Sequence, residues 1–149
     1  MYDFIDRPVE SLNNNGRFLL WAMRGWIRAA AQGACPPAAL HRGFAHVNAL
    51  AALPDFHVAL ALLNAGARET LTLAPIGCSR IAEDEALLLA LWRAAALDRA
   101  APVLALIVEA DTTRSVAKAL GAATGALAAA GFDLSHLSPS HHNQESPTR

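Results

Sequence analysis

"SRIAEDEALLLALWRAAALD", residues 79–98, decides the fold class, because it predicts the strongest helix of the chain. Glu83, Asp84 and Glu85 crowd its first turn, where the positive end of the helix dipole favours carboxylates. On a helical wheel the apolar side chains that follow cover nearly the whole circumference: Leu87, Leu88, Leu89, Leu91, Trp92 and Leu97. A helix that is apolar on all sides is buried, in a core or a subunit interface. We therefore expect this helix at the centre of a bundle.

The composition indicates one domain that associates with itself. The chain has 149 residues, of which 54% are hydrophobic, many of them alanine, and only 17% are charged. A monomer with so few charges would expose broad apolar patches, so we expect a homo-oligomer. The formal net charge is -1, which gives no basic field to attract nucleic acid.

Apolar spacing, interrupted by proline and glycine, predicts further helices at 17–32, 38–53, 54–66 and 112–131. Residues 102–110 fit either a helix or a buried strand, since periodicity alone does not separate the two. Alternating leucine and threonine at 69–75 predicts one short extended segment. The predicted fold is mainly α, a compact bundle of about five to six helices.

The domain boundaries follow from where apolar residues stop. We expect an N-terminal arm at 1–15, a single helical domain at 16–134, and a disordered tail at 135–149 that has almost nothing to bury. The first ten residues carry acids and no apolar run, so we expect no secretory signal there, and no uncharged apolar run is long enough to span a bilayer. Two unpaired cysteines fit a reducing compartment, so we expect a cytoplasmic protein.

Residues able to bind metal are present at unfavourable spacing. They are Cys35, His41, His46, His57 and Cys78. None of them forms a CxxC or HxxxH pair, and the histidines at 41 and 46 lie on separate faces of a helix. Surface histidines and buried cysteines account for this pattern, so we expect no metal and no cofactor.

The sequence favours a protein that is not an enzyme, but it does not exclude an enzyme. It has no GxSxG, HExxH or glycine-rich phosphate loop, and helix capping accounts for the carboxylates at 83–85. Cys78 is the candidate reactive thiol, because it lies just before a helix N-terminus, which lowers thiol pKa values.

A second stretch, "RFLLWAMRGWIRAA" at 17–30, predicts the candidate partner surface. Trp26 belongs to a broad apolar arc of this helix, whereas Arg17, Arg24 and Arg28 share a narrow polar strip that also contains Trp21. Three interpretations remain open. The arginines cover a half-buried indole within one chain, the strip is a protein interface, or it contacts a nucleic acid or an anionic membrane.

The helix "RFLLWAMRGW", followed by "PDFHVALALLN" and "APIGCSRIAEDEALLLALW", resembles small bacterial proteins of a domain-of-unknown-function family. This resemblance implies no activity. The leading hypothesis is a cytoplasmic helical protein that acts through protein contacts as a homodimer or an interaction module. The alternative is a small-molecule or metal-binding protein, or a thiol enzyme, centred on Cys78. A DNA-binding regulator that uses Arg17, Arg24 and Arg28 is third.

Overall fold

Six α-helices make up most of residues 4–137, the part of the chain that the computed structural model describes. They are α1 (Asn14–Ala31), α2 (Pro36–His46), α3 (Leu53–Gly66), α4 (Glu83–Ala96), α5 (Ala100–Ile107) and α6 (Thr113–Ala129). No β-strand occurs in this part of the chain, and residues 70–75 form neither helix nor strand. The predicted mainly α fold is confirmed, and α5 shows that the ambiguous range 102–110 is α-helical as far as Ile107.

Local capping explains the limits of α1. The Asn13 side chain accepts a hydrogen bond from the Gly16 N–H at 2.8 Å. This cap starts α1 earlier than the predicted beginning at Arg17. At the other end Gly33 has a φ of 73°, the left-handed conformation in which many helices end.

The segment predicted as one long second helix is two elements, because Asn48 ends α2. Asn48 has a φ of 59°, which a continuing helix does not allow. The N–H groups of Asn48 and Ala49 bond to the carbonyls of Ala45 at 3.1 Å and Phe44 at 2.8 Å, the two bonds of a Schellman motif. A 3-10 turn at Leu50–Ala52 then leads into α3.

The core is built around α4, which packs against α1, α5 and α6. Its fully buried apolar side chains include Leu88, Leu89, Leu91 and Trp92. These agree with the prediction from its apolar pattern, whereas Leu87 of the same predicted set is half-buried. Leu97 differs from the prediction, because α4 ends at Ala96 and the Leu97 side chain just beyond it is 43% exposed.

Residues 4–12, which belong to the predicted N-terminal arm at 1–15, pack onto the body of the protein. Phe4 and Leu12 are buried in the core. The N–H groups of Asp6 and Val9 donate to carbonyls of residues 81 and 79, at 3.0 Å and 2.7 Å. The segment therefore covers the chain that leads into α4.

The chain also packs back after α6. Leu134 and Leu137 are buried, and Arg93 Nη1 donates to the Leu137 carbonyl at 3.0 Å. Hydrogen bonds from the backbone N–H and hydroxyl of Ser135 hold the pKa of Asp133 below its usual value. The packed chain thus continues past the predicted boundary at residue 134. The rest of the predicted tail, residues 138–149, lies outside the described residues.

Candidate functional site

The predicted arginine strip of α1 is divided between solvent and core. Arg17 and Arg28 are exposed, but Arg24 is only 3% exposed. Two bonds join Arg24 to Glu85 of α4, from Nε to Oε2 at 2.6 Å and from Nη2 to Oε1 at 2.9 Å. The prediction that Arg24 lies on a solvated strip is wrong. A helical wheel shows on which side of its helix a residue lies, but it does not show that an acid from another helix packs against that side.

Arg24 uses all of its donors inside the protein. A guanidinium has five N–H groups, and Glu85 accepts two of those on Arg24. Nη1 donates to the carbonyls of Cys78 at 2.9 Å and Ile76 at 3.3 Å, and Nη2 donates to the Arg80 carbonyl at 2.9 Å. No N–H group of Arg24 remains for a phosphate or for a partner protein.

The Glu85 carboxylate is equally satisfied. Besides Arg24 it accepts the Ala82 N–H at 2.8 Å and the Ala74 N–H at 2.9 Å. The bond to Ala82 is one half of a capping box, because the alanine side chain has no acceptor to complete it. The predicted capping role of Glu85 is thus only part of its function. The pair joins α1, the 74–82 loop and the start of α4.

Trp21 packs against its own chain. Its indole ring lies over Gly43 of α2 so closely that a methyl group at that glycine would overlap the ring. Phe18 adds a ring contact with centroids 5.8 Å apart. No arginine stacks on Trp21 among residues 4–137, where the cation–π contact found joins Arg93 to Phe4. Trp21 therefore stays half-buried, with part of its ring against α2, and no arginine covers it as one of the three interpretations had it.

Cys78 lies half-buried in the loop before α4, and Cys35 is exposed. The Cys78 thiol is 3.5 Å from the Arg80 carbonyl, and its own carbonyl accepts from Arg24. Within the described part of the chain, no three His, Cys, Asp or Glu side chains are grouped so that they could hold a metal ion. The structure brings Arg24 and the Cys78 backbone together, and of the predicted metal-binding residue types it places His41 and His57 beside one pocket.

An apolar surface that sequence reasoning missed runs along α3. One pocket, of about 340 Å³, lies between α3 and α6, and its apolar lining consists of Val58, Leu62, Ala119 and Ala122. A second pocket, of about 470 Å³, lies between α2 and α3, and its apolar lining includes Pro37, Leu50, Pro54 and Val58. Because Val58 lines both pockets, they form one continuous surface, which we call the α3 groove.

Charged side chains flank the α3–α6 pocket, whereas imidazoles flank the α2–α3 pocket. Asp55 and Lys118, the single lysine of the chain, line the first. His41 and His57 line the second. The Trp26 indole N–H donates to His57 Nδ1 at 2.9 Å. Since indole nitrogen only donates, the neutral His57 ring carries its proton on Nε2.

The sequence carries no clear signal for this groove. Residues Phe56, Leu60 and Leu63 form the stripe of α3 that packs into the core, as the helical spacing predicts. Val58 lies outside that stripe and is 47% exposed. A single exposed aliphatic residue is common on a protein surface, so the spacing of α3 alone does not predict the groove.

No protein-family model matches the chain, and comparisons with curated proteins and with solved structures give no match either. Among the described helices, none is long and apolar enough to cross a membrane.

Proposed function

We propose that the protein acts through protein–protein contacts and that its main partner is a second copy of the chain. The α3 groove is the observation that carries this proposal. Val58 and Leu50 are exposed large apolar side chains, and the two pockets they line adjoin each other. Contiguous apolar surface on a small protein is typical of an interaction site, because leaving it in water is unfavourable.

The composition supports a second copy as the occupant. Only 17% of the residues are charged, so the chain has few charges with which to keep copies apart. A symmetric dimer also covers the same apolar patch on both subunits at once.

The α3 groove takes the place of the arginine strip as the proposed interface. Arg24 has no free donor and Trp21 packs partly against α2, which leaves Arg17 and Arg28 as the exposed charges of the strip. Free cysteines at 35 and 78 favour a reducing compartment such as a bacterial cytoplasm as the place of action.

Sedimentation velocity over a dilution series tests the proposal. We expect the wild-type protein to form a dimer in the micromolar range. Val58→Glu places a carboxylate in the groove, where association would have to desolvate it. We expect this variant to weaken the dimer by about tenfold or more, which corresponds to at least about 1.4 kcal/mol.

Leu106→Glu is the matched control. Leu106 is a 56% exposed leucine on α5, away from the α3 groove. The same change of charge there is expected to leave the dimer unchanged. A wild-type protein that stays monomeric across the series contradicts the proposal. Equal weakening by both substitutions contradicts the assignment to the groove.

A further inference from the structure

A hydrogen bond between two side chains links α1 to α3. The Trp26 indole N–H donates to His57 Nδ1 at 2.9 Å, and the two ring centroids are 5.9 Å apart. Trp26 is only 4% exposed, so water does not readily replace its acceptor. His57 is half-buried and lines the α2–α3 pocket. The bond therefore joins a buried donor to an acceptor that solvent reaches through the pocket.

This bond requires a neutral His57 ring. Because an indole nitrogen only donates, Nδ1 of His57 carries the lone pair and Nε2 carries the proton. An imidazolium has an N–H group at both nitrogens and accepts no hydrogen bond. Protonation would set two N–H groups against each other, so the bond does not survive it. Histidine is the side chain whose unperturbed charge change falls between about pH 5 and 8.

One other titratable side chain, His41 of α2, lines the same pocket. Asp55 lines the α3–α6 pocket instead, together with Lys118 of α6. The remaining ionisable residues of the three helices around His57 do not line its pocket: Arg17, Arg24, Arg28, Arg42 and His46. Within this set no carboxylate lines the pocket with His57, so none is placed to hold an imidazolium against α1.

We infer that Trp26 and His57 form a pH-sensitive latch between α1 and α3. Near neutral pH the latch is closed, because the indole N–H holds the uncharged imidazole against α1. In acid His57 Nδ1 takes a proton from solvent, the bond to Trp26 breaks, and the charged ring turns to the water of the pocket, where its charge is solvated.

The latch goes beyond the proposed self-association, since it is a property of a single chain. Its effect reaches the same surface, because the α2–α3 pocket is one part of the α3 groove. A charge among Pro37, Leu50 and Pro54 makes any apolar covering of that part less favourable, since the covering has to desolvate it. The character of the groove therefore changes with pH.

The indole N–H resonances test the latch in the wild-type protein. The chain has three tryptophans, and a 15N–1H spectrum gives one indole cross-peak for each. Between about pH 8 and pH 5 we expect the Trp26 cross-peak to move in parallel with the ring nitrogens of His57. The indole nitrogen of Trp92 is buried without a partner among the described residues, so its cross-peak is the internal control and is expected to move far less.

His57→Asn is the matched variant, because the asparagine oxygen can take the place of Nδ1 and does not titrate. We expect the Trp26 cross-peak of H57N to stay in place over the same range. In acid the Trp26 indole hydrogen is expected to exchange with solvent about fivefold or more faster in the wild type than in H57N, the factor that one net hydrogen bond supplies. His41→Gln is expected to leave the Trp26 titration unchanged.

The wild-type titration needs no variant, so it decides the inference even if H57N does not fold, which circular dichroism checks. A Trp26 cross-peak that stays in place while the His57 nitrogens titrate overturns the inference. A neutral His57 ring with its proton on Nδ1 overturns it as well. A Trp26 titration that persists in H57N, or that disappears in His41→Gln, assigns the effect to another group and has the same consequence. Every measurement reads a single chain, so a failed latch leaves the proposed self-association standing.

Discussion

Arg24 and Glu85 form a buried ion pair in which the hydrogen-bonding capacity of both partners is used. The carboxylate accepts four hydrogen bonds, two from Arg24 and two from backbone N–H groups of the 74–82 loop. Removing two charges from water costs several kcal/mol per ion, about as much as their contacts return. The pair therefore fixes the loop between two helices, and neither residue tolerates the loss of the other.

Arg24→Met tests this dependence. The substitution leaves the Glu85 carboxylate buried without its counter-charge, so we expect the free energy of unfolding to fall by about 3–5 kcal/mol in urea denaturation. Arg28→Met is the control on the same helix, where the side chain is exposed and the expected change is within about 0.5 kcal/mol. Equal losses in the free energy of unfolding would show that the buried ion pair contributes no more to stability than an exposed arginine does.

For single residues, the sequence correctly predicted burial where it depends only on the residue's own helix. Trp26 lies in the core, as the apolar arc of α1 predicted. The environment of Arg24 depends on Glu85, 61 positions away along the chain. No local pattern contains that separation, so the wheel placed Arg24 in solvent.

Helix α2 packs against α1 at one close approach. Gly43 lies under the Trp21 ring, and the absence of a side chain there sets the distance between the two helices. The sequence did not predict this contact, because a glycine within a helix indicates only reduced helix propensity. The structure gives the reason for its presence.

Gly43→Ala and Gly125→Ala are expected to change stability in opposite directions. Alanine at 43 overlaps the Trp21 ring, and we expect a loss of about 1–3 kcal/mol despite its better helix propensity. Gly125 is exposed in α6 with no atom near its missing Cβ, so alanine there is expected to add about 0.5–1 kcal/mol. Thermal unfolding at low protein concentration measures both. Stabilisation by Gly43→Ala would mean that α2 does not press on Trp21.

Whole elements were predictable where one signal dominated. Continuous apolar character and first-turn acids located α4, whose bounds are Glu83–Ala96. The second helix was predicted too long, because the spacing of apolar residues does not indicate that Asn48 adopts a left-handed backbone conformation. The helical state of α5 follows from packing against α4 and α6, which lies beyond any single-segment pattern.

At the scale of the whole molecule, the composition predicted self-association but not the surface that would carry it. Low charge is a property of the entire chain, whereas the α3 groove arises where α2, α3 and α6 meet. Its residues are separated by more than sixty positions along the chain, from Pro37 to Ala122. Only the folded arrangement shows that they share one face.

The central claim is that a second copy covers the α3 groove, and an isotope-filtered NOE experiment tests it most directly. One half of the sample carries labelled Val methyl groups and the other half carries labelled Ala methyl groups, so that only contacts between copies give the selected cross-peaks. We predict intermolecular NOEs from Val58 to Ala119 and Ala122. A dimer without these cross-peaks, or a sample without any intermolecular NOE at dimer-forming concentration, would contradict the account.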